Sequence, residues 1–434
     1  MKAIAETPAA PPLADRTRRR ITRRLIPFLF VLYIIAFLDR VNIGYAGLDM
    51  TKELGFSNSV FGVGSGIFFL GYVLLEIPGT ILVELWSARK WIARIMITWG
   101  FIAALTGLVH TKQEFYWARF LLGVAEAGFF PGVIVYLTHW YRQEDRAKAV
   151  AMFMSAIPVS QILGSPISAA LMKIHWLNYS GWRWLLILEG VPAIVFGVIT
   201  LFYLTDRPAN AKWLPDDERD WIVGELEREK AAVAARKKLS LWQAFLNRDV
   251  ILLTIVYFCS NNVQYGFTLW LPKMMQRLSG FSPFVVTLLS AIPFLVTWPF
   301  MLFVGWSSDR TRERRWHTAV PLFLAAAGLG LARATDNIWL GVLAFTLAAM
   351  GINGRLPGFW ALPNTFLAGT SAAAVIGAIN CIGNIGGFTG PSIVGFLSNA
   401  TGSYASAVLY LVGSAIVAGV LVLLVRGGPE NKTV

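Results

Sequence analysis

Residues 117–132 read WARFLLGVAEAGFFPG, with Arg119 and Glu126 seven positions apart in a stretch otherwise apolar enough to cross a membrane. Seven residues make about two helical turns, so both side chains fall on one helix face. A second pair, Asp39 and Arg40, stands in FLDRVNIG (37–44), inside another apolar run. Charges at membrane depth are costly unless they are paired or line a wet cavity, and they commonly mark a transport path.

Working outward, composition says what holds these charges. Of 434 residues, 56% are hydrophobic and only 15% charged, against roughly a quarter charged in a soluble domain. The apolar segments approach membrane-spanning length, and the alternation of a membrane barrel is absent. An all-α integral membrane protein follows, because every backbone group in lipid must be satisfied within a helix. The net charge of +13 does not signal nucleic acid. Its basic residues collect at the ends of alternate apolar segments, which is the positive-inside pattern. Cys259 and Cys381 both sit in apolar segments without a CxxC pair or a histidine cluster. Neither a metal site nor a cofactor is expected.

Twelve spans are predicted, roughly at 25–47, 58–82, 91–110, 115–139, 146–172, 183–204, 249–277, 284–306, 316–334, 338–363, 371–398 and 404–426. They divide into two six-helix halves, 25–204 and 249–426, preceded by a basic tail (1–24) and followed by a short tail (427–434). The first run keeps Asp39 and Arg40 and lacks a small-residue cleavage site, so it reads as an uncleaved helix. Arginines at 16, 18, 19, 20, 23 and 24, the pair Arg89 and Lys90, the group Arg142, Arg146 and Lys148, and Arg310 to Arg315 mark one side as cytoplasmic. Both termini are expected there. The linker, 205–248, is too charged to cross lipid. Pro215 followed by Asp216, Asp217 and Glu218 reads as a helix start, with acids at the positive dipole end.

The halves look duplicated. Glu84 and Asp309, Trp91 and Trp316, and Pro166 and Pro391 are each 225 residues apart. Two related halves around a midplane site is a transporter architecture. The charges were not kept in both copies: Asp39 maps to Gln264, Arg119 to Ala344 and Glu126 to Gly351. The second half offers neutral polar groups instead, among them Gln264, Tyr265, Asn380 and Asn384.

GWSSDRTRERR (305–315) resembles the cytoplasmic signature of the major facilitator superfamily, with Gly305, Asp309 and Arg310 in place. Its first-half copy, GTILVELWSARK (79–90), has Arg89 but departs from the signature, with Glu84 replacing the usual acid and Ser87 where glycine is usual. FLDRVNIG, GYVLLEIPG (71–79), RFLLGVAEAGFFPG, GWRWLLILEG (181–190), DRPANAKWL (206–214) and INCIGNIGGFTGP (379–391) are similar to strings of the anion:cation symporter family, in its bacterial organic-anion branch. The resemblance implies the major facilitator fold, alternating access and coupled movement of carboxylates. It gives Arg40 to the substrate carboxylate, and a guanidinium fork suits that partner chemically. It makes Asp39 and Glu126 proton carriers, with Arg119 as the natural counter-ion of Glu126. Tyr72 and Gln161 match positions that face the cavity. Phe37 replaces the tyrosine found in carriers of sugar acids, which argues against a heavily hydroxylated substrate.

Arg355, in INGRLPGFWALP (352–363), departs from the family's small or apolar residue. Two readings stand open for it: facing the cavity to meet a second anionic group, with Trp360 beside it, or snorkelling toward the headgroups. Glu76 and Glu189 match family strings but read as structural acids that anchor loops. The expected protein is therefore a proton-coupled symporter, not an enzyme, importing a small organic anion across a bacterial inner membrane as a monomer among lipids. An exporter of drugs or cations would favour intramembrane acids over arginines, and a transporter-like receptor would need a larger output domain than the linker allows.

Overall fold

The computed structural model describes residues 12–234, 246–363 and 370–426. A first run of helices comprises α1 (Leu13–Glu53), α2 (Asn58–Leu85), α3 (Ala88–Thr106), α4 (Lys112–Glu126), α5 (Phe129–Thr138), α6 (Gln143–Met154), α7 (Ala156–Leu171) and α8 (Gly181–Tyr203). The polar segment carries α9 (Asp216–Ala234). The second run comprises α10 (Arg248–Thr268), α11 (Leu271–Ser279), α12 (Pro283–Leu289), α13 (Ala291–Thr311), α14 (Trp316–Arg333), α15 (Ile338–Ala361), α16 (Thr370–Thr401) and α17 (Ala405–Leu423). Among the described residues, nine helical segments are long and apolar enough to cross a membrane. Large apolar side chains such as Phe101, Trp117, Phe202, Phe303 and Trp339 remain exposed, as a lipid-facing surface requires.

Packing follows the two runs. In the first, α3 lies on α8, α2 on α4, and α1 on α7 and α8; in the second, α14 lies on α15 and α17, and α10 on α16. The runs join chiefly along α2 and α16. Gly386 and Gly390 allow α16 to approach α10 closely, since a side chain at either would strike the backbone carbonyls of Phe258 or Asn262.

α1 begins earlier than its apolar part. Its 41 residues span about 60 Å at 1.5 Å per residue, roughly twice the hydrocarbon thickness. The arginines expected in a tail thus occupy its opening turns. There Arg16 and Arg20 hold Glu218 of α9 at 2.9 and 2.8 Å, and Arg16 also pairs with Asp217. The linker helix starts at Asp216, as expected, and its acidic first turn is also docked on α1. The tails at 1–11 and 427–434 lie outside the described residues.

Four predicted spans are broken, among them 146–172 at Ser155 and 284–306 at Ser290. The 115–139 stretch divides at Ala127 and Gly128, whose φ of +83° places it in the left-handed region that glycine tolerates. A side-chain carbon on Gly128 would also lie 3.1 Å from Cα of Gly79. The break falls immediately after Glu126. The 249–277 stretch divides after Thr268.

The first signature loop is tied to distant segments and the second to its own neighbours. Glu84 accepts from His139 (2.7 Å) and Arg207 (3.4 Å). The Arg89 backbone N–H and the Ser87 hydroxyl both donate to Asp206 (2.8 and 2.9 Å), which closes the open N-terminus of α3. In the second half Arg314 pairs with Asp309 at 2.6 Å, Arg310 lies over Trp306 at 5.4 Å, and Gly305 faces Pro357.

Candidate transport site

α1 carries Asp39 and Arg40 past the point where α4 stops. The Arg40 guanidinium forms a salt bridge with Glu126, and lies 5.2 Å from the Tyr72 ring and 5.5 Å from the rings of Phe37 and Phe68. It also donates to the Tyr265 hydroxyl at 3.5 Å, across the junction of the two runs. Asp39, Arg119 and Glu126 are fully buried. Asp39 accepts from Asn42 at 3.1 Å, and its second oxygen has no hydrogen-bond partner.

Glu126 is paired differently from the expectation. Its partner is Arg40, whereas Arg119 lies over the Phe68 ring at 5.1 Å with Nε unpartnered. Glu126 is the last residue of α4, where the negative end of the helix dipole makes a carboxylate unfavourable. A cation from the facing helix therefore compensates both the side chain and the helix end. Arg119, on the same face two turns back, supplies background positive charge.

A cavity of about 70 Å³ opens beside Arg40. Its lining includes Arg40, Tyr72, Gln264, Tyr265, Arg355, Trp360, Asn380 and Asn384, all singled out in the sequence. Tyr33, Phe37, Phe130, Tyr257, Asn261 and Asn353 complete most of the wall. Gln161 is not part of it. That amide is buried in α7 with neither polar atom hydrogen-bonded. Asp39, Arg119 and Glu126 are not in the lining either, so Arg40 is the group that touches both the cavity and the acids behind it. Larger grooves of about 540 and 490 Å³ lie at the arginine-rich end against Tyr203 and Trp213, remote from this cluster.

The second-half wall is cross-linked. Tyr257 donates to Asn380 (3.2 Å), and Asn261 donates to Gly383 O (3.1 Å) and Asn384 (3.4 Å). Asn262, by contrast, is spent on Phe258 O, Thr389 and Tyr410. Asn380 in turn donates to Glu76 of α2. Glu76 was expected to anchor a loop; it is buried between the two runs instead, one turn beyond Tyr72. Glu189 likewise faces the interior and accepts from Ser168 at 3.1 Å. The four-residue spacing of Tyr72 and Glu76, placing both on one face, was the signal that could have found the former acid.

Further contacts join the runs, two of them near the C-terminal end of α1 and the N-terminal end of α2. Lys273 donates to Thr51 (3.0 Å), Phe61 meets Trp270 edge-on at 5.2 Å, and Phe69 meets Tyr265 at 4.2 Å. Tyr33, Met154, Leu356 and Trp360 line the remaining wall.

Known proteins share this architecture. The chain is 44% identical over 421 residues to a candidate tartrate transporter of Agrobacterium vitis, covering 96% of this chain and 97% of that one. It is 35% identical to a quinolone resistance transporter of Acinetobacter baumannii, covering 91% of each. A bacterial homologue of the human lysosomal transporter Spinster, solved inward-facing and occupied, superposes with a TM-score of 0.75 over 96% of this chain and 97% of that chain, at 17% identity, which speaks for the fold alone. The sequence model of the Major Facilitator Superfamily matches residues 29–391; the chain belongs to that superfamily and is a multi-pass membrane transporter.

Proposed function

We propose that this protein is a proton-coupled symporter that imports a small organic anion across the bacterial inner membrane by alternating access. Twelve spans in two six-helix halves, with both termini cytoplasmic, fit the charge pattern of the loops. On that orientation the contacts Lys273–Thr51 and Phe61–Trp270 close the outer side.

The observation that carries the reading is the Arg40–Glu126 salt bridge at the cavity wall. A substrate carboxylate and Glu126 compete for one guanidinium fork. Protonating Glu126 removes the competitor and leaves Arg40 a buried cation in need of an anion. Proton and anion thus enter together, which is symport. Asp39 and Arg119 hold the remaining charges near balance, so the loaded cluster can change its exposure without carrying bare charge through the dry interior. Asn261, Asn380 and Asn384 shape the opposite wall with groups suited to hydroxyls and carbonyls. The tartrate relative supports a small hydroxy acid as cargo.

The test is uptake into proteoliposomes. A pH gradient, alkaline inside, should drive tartrate accumulation that a protonophore abolishes. Accumulation that follows a sodium gradient and ignores the pH gradient would refute proton coupling. The quinolone resistance relative favours a second reading, drug export on the same scaffold. Fluoroquinolone that binds the purified protein while tartrate and other carboxylates do not would select it.

A further inference from the structure

We infer that Arg355 is a second anion site and that the substrate is a dicarboxylate held between the two halves, one carboxylate on Arg40 and the other on Arg355; this rests on the organic-anion reading above. Arg355 is among the largest fully buried side chains and lines the cavity. That burial excludes snorkelling to the membrane surface. Among the described residues no carboxylate oxygen lies within 4 Å of its guanidinium, and Nε has no hydrogen-bond partner. Its contacts are neutral: the Ile352 carbonyl of its own helix and Gln264 Oε1 at 3.4 Å. The phenols of Tyr257 and Tyr265 are its other polar neighbours.

A buried guanidinium without an anion is a costly thing to keep. Arg40 solves the same difficulty internally, through Glu126, and must be released before it can bind cargo. Arg355 has no internal solution. The two guanidinium groups are reached by adjacent side chains of α10, Tyr265 on Arg40 and Gln264 on Arg355, so they flank one space. A monocarboxylate would neutralise Arg40 and leave Arg355 bare. A dicarboxylate satisfies both and ties α1 of the first half to α15 of the second, the helices that must move relative to each other in alternating access.

The experiment compares tartrate with threonate, which replaces one carboxylate by a hydroxymethyl group, by calorimetric titration of the purified protein. The native protein should prefer tartrate by about 10- to 100-fold, the contribution of a charge-assisted bidentate contact. In Arg355→Gln the ratio should collapse toward one, and Arg355→Lys, which keeps the charge and serves should the glutamine variant fail to fold, should retain an intermediate ratio. A native protein that binds both acids equally, or an Arg355→Gln or Arg355→Lys protein with the native ratio, overturns the inference while leaving the organic-anion reading intact. A native protein that binds neither acid nor any other carboxylate removes both. Arg40→Gln separates the sites, since it should weaken tartrate and threonate alike.

Discussion

The two runs of helices deal with buried charge in opposite ways. In the first, Asp39, Arg40, Arg119 and Glu126 form a cluster in which cations and acids offset each other. In the second, the positions 225 residues later are Gln264, Tyr265, Ala344 and Gly351, and the cation this run puts on the wall, Arg355, has no acid within salt-bridge reach among the described residues. Arg40 and Tyr265 stand at that same 225-residue offset and touch each other. The backbone differs too. The first half breaks its helix at Gly128, next to Glu126, whereas the equivalent stretch around Asn353 runs unbroken through α15. Glu126 sits where its helix ends; Arg355 sits where its helix continues.

The largest effect that could break this contrast is at Arg40. Arg40→Gln strands Glu126 as an unpaired buried carboxylate, at about 3–5 kcal/mol, and should lower transport efficiency by about 100-fold or more. Its structural counterpart, Tyr265→Phe, removes one neutral hydrogen bond of about 1 kcal/mol and should lower it only a few-fold. Initial uptake rates in proteoliposomes measure both. Equal losses would mean that the halves share the chemistry.

A smaller effect tests the backbone difference. Gly128→Ala must hold a left-handed φ and meet Gly79, costing about 1–3 kcal/mol, whereas Asn353→Ala removes only a bond to the Ala349 carbonyl of its own helix at 3.0 Å and should cost about 1 kcal/mol or less. Thermal unfolding midpoints in detergent should fall further for the first. The reverse order would deny the break its special role.

The cytoplasmic-type loops repeat the lesson on a lesser scale. α3 is closed by Asp206 from a distant segment, but α14 is closed by Glu313, directly before it, which accepts the Trp316 N–H at 2.8 Å. Partial burial pushes the Glu313 carboxyl up, but the N–H donors of Trp316 and His317 outweigh that and hold it below the ordinary glutamate value. Its cap is therefore present at neutral pH and lost on acidification.

Charges in apolar runs were the most legible feature of the chain, because nothing routine puts them there: Asp39, Arg40, Arg119 and Glu126 are indeed brought together, and eight residues expected to bind substrate share one cavity. Pairing was less legible. The break after Glu126 decides which arginine it meets, and a hydropathy window averages over such a break. Glu76 was misjudged for a similar reason, since Pro78 and Gly79 beside it suggest a loop whereas α2 continues through both to Leu85. Gln161, expected from resemblance alone, lies off the cavity.

The central claim is that Glu126 couples protons to the anion through Arg40. It is tested most directly by Glu126→Gln in proteoliposomes, comparing exchange of labelled substrate with accumulation against its gradient. The account predicts that exchange persists while pH-driven accumulation disappears. Accumulation at the native level in that variant would contradict it.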